Sequence, residues 1–333
     1  MNVSLIATVK DAAPHVADFL ASVRAQTRAP DEFVIVDGGS TDGTLEVLRD
    51  APGLTLIEEP GANIARGRNL AVRAASHDIV AVSDGDCVLA PDWLERLLGP
   101  LEGGADVSMG FYRPLADSFF ETCAGAVSIP EPDEIEEATF MPSARSVAFR
   151  REAFEAAGGY PEWLELGEDM YVNRRWRDRG MRMELAIEAV AYRRPRPGPV
   201  EYWRQFAGYA RADARARMYR ERHAVRFGVY GALALALASG RRPLLGAAAL
   251  AGAAYAARPL RRAFRRIEEP RARAAAGAAV PALMALNDLA KMAGYLGGLL
   301  EGRGSAAVRR TSPGEAPDRD RPRPGADRAG RGA

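Results

Sequence analysis

Histidine and cysteine are scarce in this chain, with three of the first and two of the second in 333 residues. Cys87 and Cys123 form no Cys-x-x-Cys pair and neither lies at ligand spacing from a histidine, so a zinc site and a disulfide framework are both unsupported. The chain reads as one from a reducing compartment. A charge excess is also lacking: the formal net charge is +1, which gives no global drive toward nucleic acid. Lysine is nearly absent, Lys10 and Lys291 being the only two among 45 Lys+Arg. The arginines crowd residues 193–273, a bias that GC-rich coding explains as well as function does. No internal repeat is visible. Met1 leads straight into an apolar segment without a basic stretch before it, so no signal peptide is expected and the first half should stay in the cytoplasm.

The first half alternates short apolar runs with amphipathic ones. Strands are predicted at Val3–Val9, Phe33–Val36, Thr55–Ile57, Ile79–Ser83 and Ala105–Met109. Helices are predicted from Pro14 to about Gln26, over Asn63–Ala75 and from about Asp92. Repeated βα units of this size imply a mostly parallel, doubly wound α/β sheet, whose ligands sit beyond the carboxyl ends of its strands. Two polar loops fall at such ends, beginning at Asp37 and Asp84. Residues 113–141 read as an irregular loop that covers or selects an acceptor, and 200–222 as a strongly basic helix.

Three acidic motifs carry the candidate chemistry. Asp84-Gly85-Asp86 places two carboxylates on a tight turn, where hard oxygens suit Mg²⁺ or Mn²⁺. By itself that pattern is more often a solvated turn or a helix cap. Asp37-Gly38-Gly39-Ser40-Thr41-Asp42-Gly43-Thr44 combines a strand-end carboxylate with glycines that let a ligand approach the backbone. Asp42 or Thr44 could equally be a simple helix cap, and for Thr44 that is the favoured reading. Glu168-Asp169 opens a helix, where a carboxylate could take a proton from a hydroxyl or merely stabilise the helix end. His15, His77 and His223 do not cluster and are expected at the surface or in caps.

Taken in order, these motifs resemble the inverting family 2 glycosyltransferases of the GT-A fold, in particular the bacterial exopolysaccharide-type, membrane-associated members. Thr8-Val9-Lys10-Asp11 resembles that family's V-x-N-E opening, with Asp11 in place of Glu. The segment from Asp37 to Thr44 is similar to its VDDGSTDGT signature, with Gly38 in place of the second Asp. Gly67-Arg68-Asn69 resembles its xRNxA element, Asp84-Gly85-Asp86 its DxD, and Glu168-Asp169 its ED pair, followed by Arg174, Arg175 and Gly180. The likeness runs from about Val3 to Val190.

The resemblance implies a nucleotide-sugar donor and a divalent cation, Mn²⁺ or Mg²⁺, on its diphosphate. Donor contacts would come from Asp11, Asp37, Gly39, Arg68, Asn69 and Asp84. Asp86 would ligate the metal with Asp84, and Asp169, paired with Glu168, would deprotonate the acceptor hydroxyl. Processive members carry Q-x-x-R-W; here Val172 holds the Gln position before Arg175-Trp176, which implies transfer of single sugars. Trp163 and Arg175 are candidate acceptor contacts, and the acceptor a lipid-linked or polysaccharide hydroxyl.

The expected organisation is a GT-A catalytic domain over residues 1–222, an Ala-rich helical region over 223–301 and a disordered tail over 302–333. The apolar runs after Phe227 are each shorter than the roughly 20 residues a spanning helix needs, and Arg241 and Arg242 separate the first two. Their basic flanks and the family likeness point to the cytoplasmic face of the membrane; an ordinary Ala-rich bundle is the alternative. No nucleic-acid partner is expected, and the oligomeric state is not legible. Two rival functions remain. A nucleotidyltransferase would want a Gly-rich basic loop near the N-terminus, which Thr8-Val9-Lys10-Asp11-Ala12-Ala13 is not. A catalytically weak scaffold of a polysaccharide assembly would not need Asp86 and Asp169.

Overall fold

The computed structural model describes residues 1–302. The tail expected to be disordered lies outside the described residues, but for Gly302, where the last helix ends. The first half follows the predicted alternation: β1 (Val3–Val9), α1 (Ala13–Arg24), β2 (Glu32–Asp37), α2 (Thr44–Arg49), β3 (Thr55–Glu58), α3 (Ile64–Ala74) and β4 (Ile79–Asp84). Then come β5 (Cys87–Leu89), α4 (Trp93–Glu102), β6 (Val107–Pro114), α5 (Phe119–Ser128), β7 (Val147–Arg150), α6 (Arg151–Ala157), α7 (Glu168–Asp178) and β8 (Met183–Arg193). The chain ends in α8 (Pro199–Arg215), α9 (Arg220–Ser239), α10 (Arg242–Arg266) and α11 (Pro270–Gly302). Local chemistry sets several boundaries. Pro14 sits in the first turn of α1, and the Asn63 side chain accepts from Arg66 N at 2.9 Å to cap α3.

The strands form one sheet in the order β3-β2-β1-β4-β7-β6-β8-β5. Strands β1 to β4 pair in parallel, as the βα alternation requires. The expectation of a mostly parallel sheet holds for that half and for β6 with β8, but not for the rest. β7 is antiparallel to both β4 and β6, and β5 to β8, so the sheet is mixed. β5 and β7 have three and four residues, too few to show a period in the sequence. Helices cover both faces. On β1, Val3, Leu5, Ala7 and Val9 face the layer of α1 and α4, while Ile6 packs toward α3, α6 and α7.

Residues 113–141, expected to be irregular, contain α5. Ser118 Oγ accepts from Glu121 N at 3.2 Å and the Glu121 carboxylate accepts from Asp117 N at 2.8 Å, a capping arrangement written in the sequence as Ser-x-x-Glu. The single basic helix expected over 200–222 is two helices. Arg217 and Tyr219 take left-handed backbone angles of 54° and 51°, which turns the chain and buries Met218 against Leu164 and Ala212.

The C-terminal helices pack on the α/β half. Cys123 and Ala124 of α5, Tyr202 of α8, Ala256 and Ala263 of α10 and Val280 and Leu283 of α11 share one apolar cluster. Glycine explains how closely α11 lies on α8. A Cβ at Gly294 would fall 2.0 Å from the Ala207 carbonyl oxygen, and one at Gly298 2.5 Å from that of Arg211. At these two positions glycine serves backbone-to-backbone packing, whereas Gly228, Gly231, Gly246, Gly252 and Gly277 face open space. α9 and the start of α10 behave differently: Val225, Val229, Leu235, Leu237, Leu244 and Leu250 are all exposed, on both sides of the turn at Gly240. Among the described residues no helix is long and apolar enough to cross a membrane.

Candidate active site

The loops after β1, β2 and β4 meet at one end of the sheet. Asp11, with a left-handed φ of 51°, accepts from Thr41 N at 2.9 Å through its carboxylate and donates its own N–H to Ser40 Oγ at 2.9 Å. Thr44 Oγ1 accepts from Ala12 N at 2.8 Å, so this hydroxyl ties the two loops instead of capping its own helix. Asp37 is buried, and its carboxylate accepts from Gly39 N and Ser40 N at 2.9 Å and from Ser40 Oγ at 2.5 Å. It therefore shapes the loop that a ligand would touch. A Cβ on Gly38 would stand 3.0 Å from the Ala62 carbonyl oxygen, which accounts for glycine where the resemblance expects aspartate.

The turn after β4 is equally constrained. A Cβ at Gly85 would fall 2.1 Å from Val9 Cγ1, so only glycine separates Asp84 from Asp86. Arg68, on α3, is fully buried and reaches both Asp84, at 2.5 Å, and Glu168, with which it forms a close ion pair. Arg145 Nε stands 3.6 Å from the other Asp84 oxygen, and Arg193 Nε 3.3 Å from Asp86. Burial disfavours charge on Asp86, but the guanidiniums of Arg193, Arg145 and Arg196 outweigh it and hold the carboxyl below the usual range. Glu168 goes the other way: burial, reinforced by the neighbouring Asp169 and opposed by Arg68, pushes its carboxyl up to about 7.

A cavity of about 420 Å³ opens beside these groups. Arg68, Asp84, Glu168 and Asp169 line one part of it, and Tyr202, Tyr209, Arg222, Arg226 and Lys291 from the helical region line another. Asp169 is half-buried, with Oδ1 accepting from Met170 N at 2.8 Å and Oδ2 from Ala144 N at 3.3 Å. Its carboxylate thus opens on the cavity from the first turn of α7.

Of the expected site residues, Arg68, Asp84, Glu168 and Asp169 converge on this wall, with Asp86 adjacent to Asp84. Asn69 does not join them. Its amide donates to the Tyr160 carbonyl and accepts from Tyr160 N, both at 2.9 Å, and so pins the turn before α7. Arg175 donates to the Ala157 carbonyl at 2.9 Å, and Trp163 packs edge-on against Tyr171; neither lines the cavity. His223, expected at the surface or in a cap, is buried on the cavity wall, 3.0 Å from Asp213 and stacked on Tyr295. Arg145, Arg193, Arg196 and Lys291 were not singled out by the sequence. Only the Arg-rich run near residue 193 hinted at Arg193 and Arg196, and Arg145 and Lys291 lie in no motif. Among the described residues no group of three or more His, Cys, Asp or Glu is placed to hold a metal.

Residues 4–123 match the profile of Glycosyl transferase family 2. Through this segment the chain is similar to glycosyl transferase family 2. Relatives in this family include glycosyltransferase AglE of Haloferax volcanii, 27% identical over 59% of this chain and 67% of that protein. The O-antigen chain rhamnosyltransferase RfbN of Salmonella typhimurium is 26% identical over 57% of this chain and 65% of that protein. The matched stretch thus spans about two thirds of each curated relative's length. The solved mannosyltransferase PcManGT of Pyrobaculum calidifontis, in complex with GDP-Man and Mn²⁺, superposes over 91% of this chain and 87% of its own, with a TM-score of 0.53 and 22% identity. That likeness is one of fold, and it is of the GT-A-like kind.

The raised Glu168 carboxyl has a readable consequence. A carboxyl that binds its proton more tightly folded than unfolded contributes stability that is full below about pH 4.5 and lost as pH rises through about 7. Denaturant unfolding of the native chain should therefore weaken from pH 5 to pH 8 relative to Glu168→Gln, by on the order of 3 kcal/mol. Parallel pH curves for the two proteins would show that Glu168 is ionised throughout.

Proposed function

We propose that the chain transfers a single sugar from a nucleotide-sugar donor to a hydroxyl of a lipid-linked or polysaccharide acceptor, with inversion at the anomeric carbon. The observation that carries this reading is the Asp169 carboxylate, which opens on the same cavity as Asp84 at the carboxyl end of β4. In this reading the acceptor hydroxyl gives its proton to Asp169. Its oxygen bonds to the anomeric carbon as the bond from that carbon to the diphosphate oxygen breaks on the opposite face. Arg145, Arg193 and Arg196 lie where they offset the charge of the departing diphosphate. Glu168, held by Arg68, fixes the first turn of α7 and keeps Asp169 in place. The transfer of sugars to an O-antigen chain, named for one relative, is consistent with a glycan acceptor.

Asp84 and Asp86 also fit a divalent cation. Each keeps one oxygen without a full hydrogen bond: Asp84 Oδ2, 3.6 Å from Arg145 Nε, and Asp86 Oδ1, which meets only Cys87 Sγ at 3.7 Å. One or two carboxylates, completed by substrate phosphate and water, is a normal set for Mg²⁺, and its hard oxygens also suit Mn²⁺. A cation there would neutralise charge on the diphosphate. Calorimetric titration of nucleoside diphosphates should show affinity that drops at least about 10-fold with EDTA or with Asp86→Ala. Asp169→Asn should keep that affinity and lower turnover about 100-fold or more. Affinity indifferent to both treatments would remove the metal from the reading. Donor binding with no turnover in the native chain would favour the scaffold.

We further propose that the protein works at the cytoplasmic face of the membrane, held there by the α9–α10 hairpin. The support is its exposed apolar surface, from Val225 to Leu250, with Arg241 and Arg242 at the turn. Each Arg near an anionic surface adds roughly 1 kcal/mol of attraction. Since no described helix is long and apolar enough to cross, the contact would be interfacial. Fractionated cells should show the full chain in the membrane pellet, released by detergent. Recovery in the soluble fraction at low salt without detergent would assign the hairpin another role.

A further inference from the structure

The cavity has a part that donor chemistry leaves unused. Around Asp84 and Asp86 the positive charge comes from Arg145, Arg193 and Arg196, as the leaving diphosphate requires. A second group of cations stands on the helical wall: Arg222, Arg226 and Lys291, from α9 and α11. The carboxylates of that wall are already engaged. Asp213 meets His223 at 3.0 Å, and Asp288 accepts from Arg226 Nε at 2.9 Å and from the Tyr230 and Tyr255 hydroxyls at 3.2 Å. Among the described residues, Arg222 and Lys291 form no ion pair. The Arg222 guanidinium lies 4.6 Å from the Tyr219 ring centroid, and the Lys291 ammonium 4.9 Å from that of Phe206. Burial and the neighbouring Arg226 pull the Lys291 ammonium down to about 8, opposed by Asp288 and Asp213, neither of which contacts it directly. A cation withdrawn from water with no carboxylate in direct contact can still take up an anion.

Position gives the anion a role. Tyr219 and Asp169 both line the cavity, and Tyr219 carries Arg222 on its ring. The two cation groups thus share one cavity with the candidate base, one beside Asp84 and Asp86 and one on the helical wall. We propose that the wall formed by Arg222, Arg226 and Lys291 is a second anion site that seats the phosphate of a phosphate-bearing acceptor. This rests on the reading of Asp169 as base: the acceptor's phosphate is anchored on the helical side while its hydroxyl reaches Asp169. It also gives the C-terminal helices a part in choosing the substrate, because α11 reaches the cavity only through its close packing on α8.

The test uses the full chain in detergent, saturated with nucleoside diphosphate and Mn²⁺, and titrated calorimetrically with decyl phosphate, 1-decanol and a hexose 1-phosphate. A phosphate-bearing probe should bind to the nucleotide-loaded protein and decanol should not. Decyl phosphate binding alone marks a lipid acceptor, and hexose 1-phosphate binding a soluble one. Lys291→Met and Arg222→Gln should each weaken phosphate binding about 10-fold, and Lys291→Arg should restore it. Arg222 is exposed, so its variant reports even if the Lys291 substitution disturbs folding. Phosphate probes that bind no better than decanol, or binding untouched by both substitutions, would overturn the proposal. If no nucleoside diphosphate binds while the phosphate probes still depend on Lys291 and Arg222, the donor reading fails and the second anion site stands.

Discussion

One buried guanidinium holds the site together. Arg68 reaches from α3 to Asp84 at the end of β4 and to Glu168 at the start of α7, with almost no exposure to water. Three carboxylates, Asp84, Glu168 and Asp169, crowd its surroundings, and burial alone would drive the arginine to lose its charge. The acids raise its affinity for the proton instead, so the positive charge is fixed, while burial pushes the Glu168 carboxyl up. A pair of this kind is weak evidence for net stability, since its desolvation offsets much of the attraction. What it supplies is registry, because an element displaced by one residue would leave a buried charge without its partner.

The neighbouring loops are fixed by exclusion more than by attraction. Gly85 has no room for a Cβ beside Val9, and Gly38 has almost none beside Ala62. These contacts hold the carboxyl ends of β1, β2 and β4 close together and leave Asp84 on the cavity wall. The helical region is joined in the same manner: Gly294 and Gly298 let α11 lie on the backbone of α8, which carries Lys291 to the cavity.

How far the sequence could be read follows from these contacts. Strands β1 to β4 and helix α3 announced themselves because their apolar periods and caps are local, as with Asn63 before α3. The mixed half of the sheet did not, since β5 and β7 are short and β8 is recruited by partners distant in the chain. Asp84, Glu168 and Asp169 were legible because they sit in spaced motifs at element ends. Asn69 also sits in its motif, but its amide faces the Tyr160 backbone. Arg145 and Lys291 carry no pattern at all, and only the folded chain brings them to the cavity. His223 looked unremarkable because Asp213, Arg226 and Tyr295 assemble around it from three different helices.

If Arg68 sets the registry of α3, β4 and α7, its removal and that of Glu168 must be coupled. The direct measurement is a double-mutant cycle of Arg68→Met and Glu168→Gln on denaturant unfolding, followed by the fluorescence of the buried Trp93 and Trp176. Arg68→Met alone should destabilise by about 3–5 kcal/mol, because it leaves buried carboxylates unpaired. The double variant should be more stable than the sum of the singles by about 1 kcal/mol or more. Effects that add to within about 0.5 kcal/mol would mean that the two side chains act independently, and that something other than this pair sets the geometry of the site.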